Sequence, residues 1–345
     1  MQGSAVVLGA GIAGLATARG LLRAGWTVHV LERSPGLPDT GTALGMWPEA
    51  MHALDRLGVG EGVRSSSVEQ RGGRLLRPDG TEIARLDLGR PVRLVPRPVL
   101  LTALAAMIPP GVIAWNTPVT DHGELPAADI VVAAEGIHSP TRAALFGTAP
   151  RALGTVAFRG TVPGPADGVT ETWGPGRLFG ITPHDAGNTN WFASIRADLL
   201  PPETSPRSAA QLLRKLYGDW HREVRRVLDA LGDTPIDRRT LLDVAPPPSY
   251  VSGRTAILGD AAHGMAPNLG RGACEALLDA TVLVEALTAA PDVAGALRRY
   301  DDVRRRPATR TVRLARLANT VSTVQHLLPV RNTIMAAASH LSRLG

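Results

Sequence analysis

Ala5-Val6-Val7-Leu8-Gly9-Ala10-Gly11-Ile12-Ala13-Gly14 is the stretch that decides the fold. Its leading apolar residues read as a short buried parallel strand, and the glycines turn the chain into a helix, Leu15 to Ala24, that ends at Gly25. Gly9 permits a tight turn, Gly11 lets a pyrophosphate approach the backbone, and Gly14 allows close packing of helix on strand. Ile12 and Ala13 open the helix, where free amides attract phosphate. A second strand, Thr27 to Leu31, ends in Glu32. The carboxylate falls about twenty residues beyond the loop, placed to accept hydrogen bonds from a ribose diol and to disfavour a 2′-phosphate. NAD and FAD fit this pattern equally.

Working outward, a second buried strand, Ala256-Ile257-Leu258, runs into Gly259-Asp260-Ala261-Ala262-His263. Pro267 and Gly270-Arg271-Gly272-Ala273 follow, opening a helical run through Leu277, Leu278 and Leu283. The positive end of that helix suits developing negative charge. Between the two glycine loops lie Leu94-Val95-Pro96-Arg97, followed by Leu100, Leu101 and Leu104, and then Glu135-Gly136-Ile137-His138-Ser139-Pro140-Thr141-Arg142. In this order, over nearly the whole chain, the set resembles the FAD-dependent aromatic hydroxylases, the single-component flavoprotein monooxygenases of the p-hydroxybenzoate hydroxylase fold.

The resemblance implies residue roles. Asp260 would hydrogen-bond the ribityl chain of FAD, Pro267 would lie against the isoalloxazine ring, and Gly270 to Ala273 would face the flavin pyrimidine. Arg97 would reach a phosphate or ribose of FAD, and Arg33, beside Glu32, the adenosine end. Glu135 and Arg142 match a motif implicated in both FAD and NADPH binding, with Glu where the family has Asp. Arg271 and Cys274 also depart from the family, which commonly has Gln and often Asn there.

The fold expected is α/β: a Rossmann-like FAD-binding domain interwoven with a smaller β-sheet substrate domain, and C-terminal helices. The FAD-binding domain takes residues 1–70, 93–150 and 246–310. A substrate-domain hairpin takes 71–92, turning at Pro78-Asp79-Gly80. The substrate-binding sheet with its helices takes 151–245, with β-rich runs at Thr155 to Thr161, Glu171 to Trp173, Leu178 to Pro183 and Asn190 to Ile195, and helices from Ser205 to Leu231. Pro246-Pro247-Pro248 makes a stiff return. From Val293 the chain reads as helix interrupted by Pro307 and Pro329, and 311–345 form the C-terminal helices.

Bulk properties narrow the partners. The formal net charge is +6 over 345 residues, but Lys215 is the only lysine and the arginines are spread through the chain, many beside acids, so nucleic acid is not expected. Cys274 stands alone, which excludes an intrachain disulfide and points to a reducing compartment. No apolar run is long enough to span a bilayer, and Arg19 and Arg23 interrupt the segment that would otherwise resemble a secretion signal. A cytoplasmic monomer or homodimer without metal is expected.

By resemblance, the reaction inserts one oxygen atom of dioxygen into an aromatic or polyketide-like small molecule by way of a flavin C4a-hydroperoxide, with NADH or NADPH as transient reductant. Hydroxylation is the leading reading; epoxidation and Baeyer–Villiger insertion use related scaffolds. A flavin dehydrogenase or reductase, or a non-catalytic flavin-binding partner, stays open. The chemistry is centred on the cofactor, so Arg177 and Pro267 are the only catalytic candidates. Substrate-contact candidates are Trp47, Arg159, Arg177, His184, Asn190 and Trp191, with Trp173, Phe179 and Phe192 as further walls. Tyr217, Tyr250 and Tyr300 lie outside the expected substrate sheet, so activation of a phenol by tyrosine is not expected.

Overall fold

The structure is a computed structural model that describes residues 3–119, 125–185, 187–201, 209–232 and 236–341. In chain order the first elements are β1 (Ser4–Leu8), α1 (Ile12–Arg23), β2 (Thr27–Leu31), β3 (Ala43–Met46), α2 (Pro48–Arg56), α3 (Gly60–Ser65), β4 (Val68–Leu76), β5 (Glu82–Pro96) and α4 (Arg97–Ala105). Then come β6 (Ile113–Ala114), β7 (Ile130–Ala133), α5 (Pro140–Phe146), β8 (Pro150–Pro163), β9 (Val169–Gly174), β10 (Arg177–Pro183) and β11 (Asn188–Arg196). The rest are α6 (Ala209–Tyr217), α7 (Arg222–Asp229), β12 (Asp237–Val244), β13 (Val251–Ser252), β14 (Thr255–Ile257), α8 (Asp260–His263), α9 (Gly272–Ala289), α10 (Val293–Ser322) and α11 (Leu328–Leu341).

Two sheets result. One has six strands in the order β13-β14-β7-β1-β2-β6, all parallel neighbours except β13 and β14. Its central strand is apolar without alternation because both faces are covered. Val7 pairs with Val30 on one side and Val132 on the other, and all three are fully buried with Leu15 of α1, Leu54 of α2, Leu100 of α4 and Leu277 of α9.

The second sheet has eight strands in the order β12-β8-β11-β10-β9-β4-β5-β3, antiparallel apart from the β4–β9 pair. The hairpin expected around Pro78 to Gly80 joins β4 to β5, with Gly80 at φ +89°. Here side chains alternate. Phe158, Phe179 and Trp191 share one face and pack on Leu213 and Tyr217 of α6 and Val224 and Val227 of α7. Leu75, Trp173, Leu178 and Phe192 share the other, against Val321 of α10 and Met335 of α11. The expected helical start at Ser205 lies outside the described residues.

Pro307 does not interrupt the C-terminal helix as expected; it sits inside the continuous α10. An interior proline costs roughly 3 kcal/mol. The flanks offset this cost: Arg304 is ion-paired to α9, and Ala308 and Val312 are buried. Pro329 instead lies in the first turn of α11, where a missing N–H is tolerated.

Candidate active site

The first glycine loop has the geometry that its residue types call for. Gly9 adopts φ +98°, and a Cβ there would lie 2.6 Å from the Ala134 carbonyl oxygen. A Cβ on Gly14 would stand 1.9 Å from the Gly9 carbonyl oxygen, so helix and loop meet with no room for a side chain. Gly11 is the opposite case. A Cβ there would meet nothing within 4 Å, which leaves open space above the backbone. Glu32 closes the turn, accepting hydrogen bonds from the amides of Ala10 at 2.6 Å and Ser34 at 2.8 Å. Arg33 is exposed beside it.

The second loop folds directly onto the first. Gly259, at φ +58°, sits so close to α1 that a Cβ would be 2.9 Å from the Cβ of Ala13 and 3.4 Å from that of Ala276. Its amide donates to Asp279 Oδ2 at 2.8 Å. Asp260, next along, exposes a carboxylate that has no hydrogen-bond partner among the described residues. Pro267 is exposed and opens a 3-10 turn, Gly270 leaves it at φ +60°, and Gly272 and Ala273 begin α9.

Arg97 faces this loop from the first residue of α4. Its amide donates to the Thr42 carbonyl at 3.2 Å, while its guanidinium makes no hydrogen bond among the described residues. It is open to solvent yet lies deep in a cleft. Burial, followed by the neighbouring cation Arg159, holds its pKa below the usual arginine value, and Asp260 opposes the shift. A cleft with an unpaired cation and open glycine backbone is built for a phosphorylated ligand. Arg159, on β8, is itself paired to Asp237 at 2.7 Å.

Other sequence candidates are occupied elsewhere. Arg142 is 1% exposed, and its guanidinium donates to the carbonyls of Ile137, Thr148 and Ala261. It thereby ties the Glu135 turn to the second loop. Glu135 accepts from the Ser139 hydroxyl, whose oxygen caps α5 by accepting from the Arg142 amide at 3.1 Å. Arg271 is held by Glu49 at 2.6 Å and Glu275 at 3.1 Å, and stacks on Trp47 at 5.5 Å. Cys274 is buried and donates to the Gly45 carbonyl at 3.2 Å; burial pushes its thiol up to about 12.

The substrate candidates divide between the two faces of the large sheet. Arg159 and Asn190 share a face with Phe192, because Phe192 pairs with Arg159 and Asn190 lies two residues away. Arg177 and Trp191 lie on the opposite face, where the guanidinium sits 5.8 Å from the Tyr217 ring and 5.7 Å from that of Trp220, and Trp191 stacks on Phe179. That face is covered by α6 and α7, so both residues are turned away from Arg97 and Asp260. Phe179 goes with them, whereas Trp173 stays with Phe192. His184 is at the β10–β11 hairpin, paired to Asp185. All three tyrosines are buried in packing contacts.

A buried charge network beneath the second loop escaped sequence reasoning. Asp279 Oδ2 accepts from the Gly259 amide and faces His263 Nε2 at 2.6 Å; Asp279 Oδ1 accepts from Arg304 at 2.7 Å; and Arg304 also reaches Glu275 at 2.6 Å. The available signal was the pair Glu275 and Asp279, spaced i,i+4 in the first, mostly apolar turns of α9.

A glycine-gated Rossmann-type sheet under a second, largely antiparallel sheet defines a flavin-binding oxidoreductase. Matches to known proteins agree: the FAD dependent oxidoreductase family matches residues 4–86 and the FAD binding domain family residues 118–315. The chain belongs to the FAD-dependent aromatic monooxygenases. It is 33% identical over 356 residues to 3-amino-4-hydroxybenzoate 2-monooxygenase of Streptomyces cremeus, covering 93% of this chain and 87% of that protein. It is 32% identical over 328 residues to aurachin C monooxygenase/isomerase of Stigmatella aurantiaca, covering 87% and 84%. Klebsiella pneumoniae HpxO, solved with FAD and uric acid, superposes with a TM-score of 0.84 at 25% identity, covering 99% of this chain and 93% of that one. Among the described residues no helix is long and apolar enough to cross a membrane, and no cluster of metal-ligating side chains forms.

Proposed function

We propose that Gly9 to Gly14, Glu32 and Arg33 hold the adenosine and pyrophosphate end of FAD, that Arg97 and Asp260 hold the stretch leading to the flavin, and that Pro267 and Gly270 to Ala273 border its ring. The observation that carries this reading is the contact of the two glycine loops at Gly259 and Ala13, beside a cleft where the Arg97 guanidinium and the Asp260 carboxylate make no hydrogen bond among the described residues. Bound FAD supplies hydride acceptance from NADH or NADPH and transfer of one oxygen atom from dioxygen to an electron-rich ring.

The protein's own residues orient and enclose. Residues 1–70, 93–150 and 246–310 form most of the cofactor part, and the eight-stranded sheet, drawn mainly from 71–92 and 151–245 but joined by β3 and by the outer ends of β4 and β5, covers it. The face carrying Arg159, Asn190 and Phe192 borders the substrate and excludes water. Arg142 and Arg271 act by positioning, since their guanidinium groups are spent on protein partners. Hydroxylation of an aromatic or polyketide-like compound in the cytoplasm is the reading best supported, and the aromatic acceptor named for the Streptomyces relative agrees with it.

Titration with FAD tests the cofactor site, and NADH or NADPH oxidation under isotopically labelled dioxygen tests the reaction. Native protein should bind FAD, with Arg97→Ala and Asp260→Asn weakened but folded, and one labelled oxygen atom should enter the product. Failure to bind FAD overturns the reading. Turnover without oxygen would assign a flavin dehydrogenase.

A further inference from the structure

Glu171 is a carboxylate that the cofactor chemistry leaves unused. It lies on β9 between Gly180 of β10 and Leu75 of β4, on the same face of the sheet as Trp173, Phe192 and Asn190. Its flank is unusual because Gly180 contributes no side chain. The Phe192 ring leans into that gap, so close that a Cβ on Gly180 would be 2.1 Å from it. An aromatic floor therefore adjoins the carboxylate, with Leu75 and Trp173 on the other sides and Val321 and Met335 packed against the same cluster.

The hydrogen bonding of this patch is incomplete. Glu171 Oε2 accepts from the Trp173 indole at 2.8 Å, its single hydrogen-bond partner among the described residues. Two residues from Phe192, the Asn190 amide holds the Thr182 hydroxyl at 2.9 Å at one end, while its other end is buried with no partner. A buried polar group without a partner costs about 1–3 kcal/mol, more if charged, so such groups persist where a ligand completes them. Burial raises the Glu171 carboxyl above its usual range, with the indole opposing. The residue is nevertheless only partly covered, so a ligand can reach it from solvent.

We propose that Glu171 is the substrate-binding acceptor of this enzyme: its free oxygen takes an O–H or N–H from a hydroxyl or amino substituent of an aromatic substrate whose ring lies along Phe192. The inference deepens the monooxygenase reading and rests on it. It makes the substrate class a ring with a hydrogen-bond donor rather than a bare or fully alkylated ring. A carboxylate holding a ring hydroxyl also raises electron density on the ring, which favours attack by an electrophilic oxygen.

The test is calorimetric binding to FAD-loaded protein, with 2-aminophenol and catechol as probes against 1,2-dimethoxybenzene, whose oxygens lack donors. Native protein should prefer the two donors by about threefold to tenfold, the size of an ordinary hydrogen bond. Glu171→Leu should abolish the preference, and Glu171→Gln, which keeps an acceptor without charge, should retain part of it. FAD content and the unfolding midpoint report whether each variant is intact. Equal binding of donors and ether, no binding of any probe to native protein, or an unchanged preference in folded Glu171→Leu overturns the proposal. Loss of FAD binding is read separately and speaks against the cofactor site instead.

Discussion

His263 Nε2 lies 2.6 Å from Asp279 Oδ2, with both side chains sealed from solvent, and that same oxygen accepts the Gly259 amide. The pair therefore sets the backbone of the second glycine loop from beneath. Asp279 is held ionised despite burial, which pushes its pKa upward, because His263 and Arg304 more than offset that effect.

Asp279→Ala should cost about 3–5 kcal/mol, since it strands His263, Arg304 and the Gly259 amide in a dry interior. Chemical denaturation measures this directly. Because Gly259 precedes Asp260, FAD affinity should fall with it. A variant of native stability would show that the network contributes nothing.

Stability should also depend on pH through His263. Burial lowers its pKa, Asp279 raises it more strongly, and the net shift is upward. A raised folded pKa means that the stabilisation is complete below the ordinary histidine value of about 6.5 and is lost as pH rises through the folded value. Unfolding midpoints taken upward from about pH 6 should therefore decline. In His263→Asn that decline should disappear.

Two glycines of one loop should respond oppositely to the same change. Gly14→Ala places a methyl group 1.9 Å from the Gly9 carbonyl oxygen and should destabilise the protein before any ligand is added. Gly11→Ala meets open space and should fold normally, with the methyl group instead obstructing FAD. Unfolding midpoints and FAD titration on both variants separate the two effects. Equal unfolding midpoints would contradict the packing role assigned to Gly14.

Cys274 should be chemically silent in the folded protein. Its thiol is buried and its pKa is pushed up to about 12, so almost no thiolate exists near neutral pH. A thiol reagent should label one site in denaturant and none in the native state. Native labelling at a comparable rate would show that α9 opens readily.

The cofactor half was legible because its features are local. Gly9 and Gly14 are demanded by close backbone contacts and Gly259 by the β-carbon of Ala13, and Glu32 follows its strand at a spacing set by one βα unit. The substrate half was only partly legible. Period-two alternation places Arg177 and Phe179 together and Glu171 and Trp173 together, but does not say which set faces the cleft. Arg177 looked more suitable than Arg159 on sequence, but α6 and α7 cover its face. Arg142 and Arg271 likewise carried no mark of the carbonyls and carboxylates that occupy them.

The sequence by itself determined the glycine loop after the first strand, the acidic residue Glu32 that closes it, the second glycine turn at Gly259, and the family to which these belong. Short-range steric rules tie those residue types to those turns. Only the tertiary structure decided which face of the large sheet α6 and α7 cover, which arginines are held by partners among the described residues, and that Asp279 anchors the loop at Gly259. Each of these depends on which distant side chain fills a given volume, and the burial that makes a charge costly or useful exists only once the layers have packed.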